Sequence, residues 1–477
     1  MFQKENKDMP FGWAVFCLAF LFVSMIGSVV FKMNIPTHIN LLASISITLL
    51  VAWLNGKPWA ELEKAIEYGG KICISPTVIM MLVGVLIASW IASGTVPTII
   101  YWGLKLINPA FFLVTASLLC AIVAIAIGSS WSTAGTVGVA LMGIGMGLGI
   151  NPAMTAGAIL SGSYLGDKMS PMSDTTNLAP AVAEADLFDH IRSMMYTTGP
   201  AFVISLVVYA ILGMQYGSGS VDNATVDAIL NAIQTNFNMN PLVFLPPVVV
   251  IVMAIKKCPS IPTLVVSALI ASVIAVAIQG IGFAEILGIL KNGFSIETGF
   301  ADFDRLVNRG GLGSMLDTAA LGLLGMLYGA IMDKTGMLTT ILSHMKKLTN
   351  SVGSLITVVI LANIILLATT ASQTLAIVVG GRMFISEFRK KHLLPQVLSR
   401  TLEDSGTIIS PLIPWSLCGV YMSETLSVST ISYLPFAFFC WLCPIIAITY
   451  GFTGKFVWKT GEIKSQRTYE DEIPVSD

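Results

Sequence analysis

Charged residues are scarce in this sequence, and their scarcity excludes most classes of soluble protein. Of its 477 residues, 11% are Asp, Glu, Lys or Arg and 55% are hydrophobic, whereas a soluble domain carries roughly 25% charged residues. So few charges cannot cover a water-facing surface. The sequence therefore predicts an integral membrane protein whose partner is the lipid bilayer. The formal net charge of −1 argues against nucleic acid as a partner.

Residue patterns typical of enzymes and of cofactor sites are also missing. The seven cysteines are scattered through apolar segments, and Cys440 and Cys443 have no second ligand pair nearby. We therefore expect buried helix cysteines rather than a metal or redox centre. There is no Walker motif for ATP, and the sequence predicts neither an enzyme nor a bound cofactor. The apolar segment 11–31 is longer than a signal-peptide core and lacks a cleavage site, which favours a spanning helix.

Long apolar segments dominate the rest of the chain. A spanning helix needs about 20 mostly apolar residues. The clear candidates are 11–31, 36–54, 74–93, 194–215, 241–255, 260–282, 314–332 and 430–453. Regions 109–150 and 350–386 are interrupted by "SSWST" and "TTASQT", and we expect them to form paired hairpins. Regions 153–190 and 393–424 are interrupted by "GDKMSPMSD" and "TLEDSGTIISP", and we expect broken helices that cross once each.

The distribution of Lys and Arg predicts the orientation of these spans. Loop 216–240 contains neither residue and is placed outside, whereas the basic loops 55–72, 333–349 and 387–392 are placed inside. One topology satisfies these assignments, with both termini cytoplasmic in a multi-pass protein of the cytoplasmic membrane. Loop 283–313 carries three basic residues but falls outside, so it fits this topology poorly.

Several stretches recur in the same order in the second half of the chain. "GKPWAELEKAIEYG" resembles "GIGFAEILGILKNG", "SGTVPTII" resembles "TGMLTTIL", "GSSWSTAGTVGVALM" resembles "ATTASQTLAIVVGGR", and "LGDKMSP" resembles "LEDSGTIISP". Because the predicted topology inserts the two halves upside-down, we expect two inverted-topology repeats. The predicted divisions are 1–35 (tail and first helix), 36–193 (first repeat), 194–259 (connecting helices and external loop), 260–427 (second repeat) and 428–477 (last helix and cytoplasmic tail). Inverted repeats with paired broken helices are typical of secondary transporters.

The interruptions in the two broken helices have the chemistry of a cation site. Proline removes a helix hydrogen bond, and freed carbonyl groups, hydroxyls and carboxylates together suit a hard cation such as sodium. The predicted ion- and proton-binding residues are Asp167, Asp174, Ser170, Ser173 and Thr175 in the first half and Asp404, Ser405 and Thr407 in the second. Asp167 and Asp174 are the predicted sodium ligands, and one carboxylate that holds either a proton or sodium would support exchange. The alternative is that "GDKMSPMSD" is a short solvent-exposed loop with ordinary helix caps.

Polar residues at the two hairpin interruptions form a second candidate set. The predicted substrate-binding residues are Ser129, Ser130, Ser132, Thr133, Thr369, Thr370, Ser372, Gln373 and Asn177. A site for sodium alone does not need two polar hairpins, so these residues favour a small organic anion as a second substrate.

Three motifs resemble those of the NhaC family of sodium/proton antiporters, within the ion transporter superfamily. They are "GSSWSTAGTVGVA" (128–140), "GSYLGDKMSPMSDTTNLA" (162–179) and "EDSGTIISPLIPWS" (403–416). The resemblance implies inverted repeats with re-entrant hairpins and an ion site at the broken helices. It also implies that sodium and protons bind at Asp167 and Asp174, with Ser170, Ser173 and Thr175 as supporting ligands. Family members include exchangers of sodium and protons and exchangers of malate and lactate.

Taken together, these features predict a secondary active transporter that exchanges sodium for protons. The alternatives are a sodium- or proton-coupled exchanger of small carboxylates or amino acids, and a channel with the same polar path. A homodimer is compatible with these features.

Overall fold

The chain folds almost entirely into helices. The computed structural model describes residues 9–31, 35–216, 223–256, 258–298 and 300–460. Within these ranges there is no β-strand, and the only β pairing is an isolated antiparallel bridge between Leu393 and Lys459. The predicted all-α class is confirmed.

The helices follow one another with short connections. The chain begins with α1 (Phe11–Val30), α2 (Thr37–Leu54), α3 (Trp59–Ala92), α4 (Thr95–Leu106), α5 (Phe112–Ile127), α6 (Ser130–Thr133), α7 (Val139–Gly147), α8 (Pro152–Met169), α9 (Asp174–Ala183) and α10 (Leu187–Met214). It continues with α11 (Asn223–Asn236), α12 (Leu245–Ile255), α13 (Ser260–Ala277), α14 (Phe283–Asn292), α15 (Ala301–Val307), α16 (Leu316–Lys334), α17 (Met337–Lys346), α18 (Val352–Thr370) and α19 (Gln373–Lys390). The last helices are α20 (Pro395–Leu402), α21 (Leu417–Leu426), α22 (Thr430–Tyr433) and α23 (Phe438–Thr453).

Many of these helices are suited to a membrane. Among the described residues, eight helices are long and apolar enough to cross one, and the number rises to ten if each of two bent helix pairs forms a single span. The predicted polytopic architecture is therefore confirmed. The prediction of a loop over 55–72 is wrong, because α3 already begins at Trp59. Residues 59–72 are rich in Ala, Glu, Lys, Leu and Ile, and most of these residues favour helix strongly even outside an apolar segment.

Both predicted broken helices are interrupted in the structure. The first stops at Met169 and resumes at Asp174, with Pro171 in the gap. The second changes at Leu402 from α-helix to a π-helical turn, Glu403–Thr407, and then to a short 3-10 turn before α21 begins. Each interruption removes regular backbone hydrogen bonds, so each needs side chains to satisfy the freed groups.

The two hairpins turn in the same way. Gly128, with φ of 75°, directly follows the end of α5, and Ala371, with φ of 53°, directly follows the end of α18. In each hairpin the next residue, Ser129 or Ser372, caps the following helix with its hydroxyl. The matching turns pair Gly128 with Ala371 rather than with Ala368, so the repeat alignment shifts by three residues here. The inverted relationship of the two halves, and the divisions based on it, stay predictions.

The buried apolar residues form two groups, and both broken helices pass from one to the other. Helix α8 packs its apolar residues into the first group, while Ala179 and Ala183 of α9 belong to the second. In the other broken helix, α20 belongs to the second group and Tyr421 of α21 to the first. The interruptions therefore lie at the boundary between two packed regions.

Close packing of α5 against α8 holds the first interruption in place. A Cβ on Gly162 would collide with the Ser117 carbonyl, and one on Gly166 would collide with Ala124. The two glycines thus allow close approach of the helices, which explains how the end of α8 is fixed against the hairpin.

Candidate functional site

A cavity of about 1080 Å³ lies where the first hairpin, the first interruption and the second hairpin meet. Its other walls come from α3, from the start of α13 and from α21. The predicted residues that line it are Ser129, Ser130, Ser132, Asp167, Asp174, Thr175, Asn177, Ser372 and Gln373. The structure thus brings together polar residues from both halves of the chain.

Asp167 is the buried carboxylate of this cavity. Its side chain reaches the cavity wall although the residue is only 6% exposed. The Ser130 hydroxyl donates to Oδ2 at 2.6 Å, and the Ser173 hydroxyl donates to Oδ1 at 2.7 Å. The Thr175 hydroxyl lies 3.2 Å from that of Ser173. One carboxylate is therefore surrounded by hydroxyls from the hairpin tip and from the broken helix.

Side chains satisfy the backbone groups that the interruption frees. The Thr176 hydroxyl donates to the carbonyl oxygens of Asp167 and Lys168, at 2.8 and 2.9 Å. The Asn177 amide donates to the carbonyls of Pro171 and Ser173, at 2.8 and 2.7 Å. These bonds hold the end of α8 against the start of α9, so the carboxyl of Asp167 is fixed at the interruption.

Ser170 and Asp174 occupy different surroundings from Asp167. The Ser170 hydroxyl donates to the carbonyl of Ile125 at 2.7 Å, so it fastens the break to α5 and does not line the cavity. Asp174 is exposed and starts α9 at the cavity wall. Of the two predicted sodium ligands, one is thus buried and the other open to the cavity.

The second-half residues form a separate buried group. Asp404 makes an ion pair with Lys168, and both side chains are fully buried. The Thr197 hydroxyl also donates to Oδ1 of Asp404, at 3.0 Å. The Lys168 ammonium therefore neutralises Asp404 and is not directed at Asp167. This pair joins the first broken helix to the second.

The other second-half residues also lie away from the cavity. Ser405 donates to the Thr401 carbonyl at 2.6 Å and accepts from the Asn363 amide at 2.8 Å. Thr407 is fully buried, and its hydroxyl lies beside the carboxyl group of Glu403. Asp404 and Ser405 thus bond to Lys168, Thr197, Thr401 and Asn363 rather than to Asp167.

The hairpin threonines bond back to their own helices. Thr133 donates to the Ser129 carbonyl, Thr369 to Ile365 and Thr370 to Leu366, at 2.7 to 2.9 Å. Hydroxyls in a helix commonly bond to the carbonyl one turn back, and these three residues do not line the cavity. Gln373 does line it, and its amide oxygen accepts from the Ser410 hydroxyl at 3.1 Å.

Comparison with known proteins decides the family. The sequence model of the Na+/H+ antiporter family matches residues 162–455 of this chain. The chain belongs to that family. The predicted resemblance and the prediction of a sodium/proton antiporter are thereby confirmed, and the protein is a membrane transporter.

Relatives of this antiporter cover nearly its whole length. The Na+/H+ antiporter NhaC of Alkalihalophilus pseudofirmus is 39% identical over 97% of this chain and 100% of its own. The malate-2H+/Na+-lactate antiporter of Bacillus subtilis is 36% identical over 97% of this chain and 99% of its own. The arginine/ornithine antiporter ArcD of Halobacterium salinarum is 39% identical over 96% of this chain and 94% of its own. Relatives with similar sequences thus carry names for different substrates.

Sequence reasoning missed an aromatic pair in the wall of the antiporter's cavity. The rings of Trp131 and Tyr421 are stacked, with centroids 4.2 Å apart and planes 7° from parallel. The Tyr421 hydroxyl donates to the Trp131 carbonyl at 2.8 Å. Trp131 lies inside the motif "SSWST", but no local signal marks Tyr421, which is 290 residues away.

The antiporter's oxygen atoms suit a hard cation rather than a transition metal. No group of three or more His, Cys, Asp or Glu side chains in the described part of the chain is arranged to hold a metal ion. The seven cysteines are free. Asp167 instead offers one carboxylate among hydroxyl oxygens, the ligand type that hard cations prefer.

Proposed function

We propose that Asp167 is the residue at which sodium and protons compete during exchange. The observation that carries this proposal is its geometry: a buried carboxylate on the cavity wall, with both oxygens bonded to hydroxyls. An isolated ionised carboxylate is costly inside a membrane protein, so it holds either a proton or a cation. Sodium and the proton are substrates here, and the proposal needs no bound cofactor.

The hydroxyls around Asp167 can serve both states. A serine hydroxyl has one donor hydrogen and two acceptor lone pairs. The hydroxyls of Ser130 and Ser173 donate to the ionised carboxylate, and they can rotate to direct their oxygens at a sodium ion bound beside it. Protonation removes the negative charge that holds the ion, so proton and sodium binding exclude each other. Asp174 and Thr175 would receive the ion on its way from the cavity.

Competition at one residue becomes transport if the site opens alternately to the two sides. Asp167 lies where α8 and α9 pass from one apolar group to the other. Movement between these packed regions would change the surroundings of Asp167 at the interruption. We place this exchange in the cytoplasmic membrane, with both termini cytoplasmic and with 36–193 and 260–427 as inverted repeats.

Asp167→Asn in proteoliposomes tests the proposal. The amide cannot release a proton or supply a negative charge, so sodium-driven proton movement should fall to the level of protein-free vesicles. Asp227→Asn is the matched control, because Asp227 is exposed on α11 and does not line the cavity; it should transport normally. Exchange retained by a folded Asp167→Asn protein would contradict the proposal.

A second candidate is exchange of a small carboxylate or amino acid. Pockets for small organic ligands measure about 300–1,000 Å³, and a cavity of about 1080 Å³ is far larger than a sodium ion needs. Its walls include the starts of helices α6 and α19, where backbone N–H groups attract anions. The names of two relatives, for malate/lactate and arginine/ornithine exchange, agree with this candidate.

Thermal unfolding in detergent separates the two candidates. The protein would be heated with sodium, lithium, malate, lactate, arginine or ornithine, each acid or amino acid with and without sodium. Stabilisation by sodium alone favours ion exchange as the whole activity. Further stabilisation by one organic compound favours the second candidate.

A further inference from the structure

The cavity beside Asp167 is open at one end. Along α3 its wall runs from Ile72 to Val83, a length of about 16 Å at a rise of 1.5 Å per residue. The wall residue Ser75 is exposed, whereas Val83 is buried. The other exposed wall residues come from the first interruption and from the start of α13, and they are Pro171, Asp174, Asn177, Pro259, Ser260 and Pro262. These exposed residues form the mouth of the cavity.

The opposite end of the cavity is closed by buried side chains of α3 and α21. These wall residues, which we call the closed end, are Val83, Leu417, Cys418 and Tyr421. A Cβ on Gly135, in the first hairpin, would approach the Tyr421 hydroxyl to 2.8 Å and Val83 to 3.2 Å. Helices α3 and α21 and the first hairpin therefore meet here, where Tyr421 also stacks on Trp131.

The short segment Arg309–Gly311 packs on α3 directly behind the closed end. The Gly311 N–H donates to the carbonyl of Gly84 at 2.7 Å, and Gly84 is the residue after Val83. A Cβ on Gly84 would collide with the Gly311 carbonyl oxygen, so only glycine allows the two backbones to come this close. Gly310 and Gly311 both have φ of 85°, a conformation that glycine adopts readily. The segment is thus shaped to cover α3 at this point.

Arg309 fastens the segment to α21. Its Nη2 donates to the carbonyl of Thr425 at 2.6 Å. Thr425 lies one turn after Tyr421, in the last turn of α21, where carbonyls lack helical partners and a cation is favoured. The carboxylate of Glu424 also attracts Arg309. Arg309 is one of the three basic residues that make segment 283–313 a poor fit to the outside, and its contacts with α21 explain its presence there.

We infer that Arg309 is the latch of a gate at the closed end, so that Asp167 can be reached from this end only after Arg309 releases the Thr425 carbonyl. The inference rests on the proposed exchange at Asp167, which needs access from both sides of the membrane. Release frees α21 from the segment held on α3, and Tyr421 can then move away from Trp131. In the predicted topology the closed end faces outside, because segment 283–313 lies there.

Two native cysteines report on the two ends of the cavity. Cys258 lines the cavity at the mouth, next to Pro259, and Cys418 lines it at the closed end. Membrane vesicles that hold the full-length protein in one known orientation are treated from either side with a membrane-impermeant maleimide. Mass spectrometry then gives the labelling rate of each cysteine. Cys258 should react from the mouth side, and wild-type Cys418 should react slowly from the opposite side.

Arg309→Met should raise the rate at which Cys418 reacts from the side opposite the mouth about tenfold, because a hydrogen bond to a charged group shifts an equilibrium by roughly that factor. Arg305→Met is the matched control, since Arg305 is an exposed basic residue of α15 in the same loop. Its Cys418 should react at the wild-type rate.

Two results would overturn the inference. One is an equal Cys418 labelling rate in folded Arg309→Met and Arg305→Met proteins. The other is a wild-type Cys418 that never reacts from the side opposite the mouth, which needs no variant and covers the case in which Arg309→Met fails to fold. Labelling is measured without a sodium or proton gradient, so failure of the exchange proposed at Asp167 would be seen separately, as retained transport by Asp167→Asn.

Discussion

At the scale of single residues, the surroundings of Asp167 differ from those of the other acids in the interior. Asp167 accepts two hydroxyl hydrogen bonds and borders the cavity. Asp404 is paired with a lysine, and Glu403 lies beside the Thr407 hydroxyl and makes no ion pair within the described ranges. Three acids within one region thus have three environments: a cavity wall, an ion pair and an interior position beside a hydroxyl group. Different environments allow different charge states, and the exchange proposed at Asp167 depends on such a difference.

Ser130→Ala should weaken sodium binding about tenfold, because a hydrogen bond to a charged group contributes roughly 1.5 kcal/mol or more. The variant also loses an oxygen that can face the ion. Ser132→Ala is the control, since Ser132 lines the same cavity, whereas the hydroxyls that donate to Asp167 in the described structure are those of Ser130 and Ser173. Sodium-dependent thermal stabilisation measures both affinities. Equal affinities for the two variants would argue against a role for Ser130 at the ion.

At the scale of structural elements, the ion pair between Lys168 and Asp404 connects the two broken helices. Both side chains are fully buried. Breaking a buried pair leaves an uncompensated charge, whereas replacing both partners with apolar residues is often tolerated. The pair therefore controls how the interrupted helices pack together, and its contribution to stability can be separated from its contribution to transport.

Lys168→Met should lower the free energy of unfolding by about 3–5 kcal/mol, because it strands the Asp404 carboxylate. The double variant Lys168→Met with Asp404→Leu should recover much of this loss. Arg192→Met serves as a surface control, because the Arg192 side chain is 68% exposed in its pair with Asp189 and surface pairs contribute little. Denaturant unfolding in detergent gives the comparison. A double variant as unstable as the single one would show that the pair does not act through its charges.

The elements that sequence reasoning predicted well are those with a strong local signal. Apolar length predicted the spans, and proline with clustered polar residues predicted the interruption at Pro171. The residues whose hydroxyls bond to Asp167 were among the predicted site residues. The sequence did not predict which of the polar residues bond to this carboxylate and which bond to the backbone. Thr369 and Thr370 looked equivalent to Ser372 in sequence, yet they bond back to their own helix. The sequence also could not predict the ion-pair partner of Lys168, because the two paired residues are 236 positions apart in the chain.

At the scale of the whole molecule, the antiporter consists of two groups of packed apolar residues crossed by two interrupted helices. The cavity opens beside the first interruption and takes walls from both hairpins. Tertiary packing of this kind cannot be read from local patterns, and Tyr421 enters the cavity wall only because α21 packs beside the first hairpin. Asp167, the proposed site of competition, lies where relative movement of the two groups would act on it.

The central claim is that sodium and one proton compete for Asp167, and sodium binding measured against pH tests it most directly. Protons occupy the carboxyl at low pH, so the apparent sodium affinity of the wild type should rise about tenfold per pH unit while the carboxyl is mostly protonated. It should level off once the carboxyl is ionised. Asp167→Asn should bind sodium weakly and without this pH dependence. A wild-type affinity that does not change with pH, or an Asp167→Asn protein with the wild-type dependence, would contradict the claim.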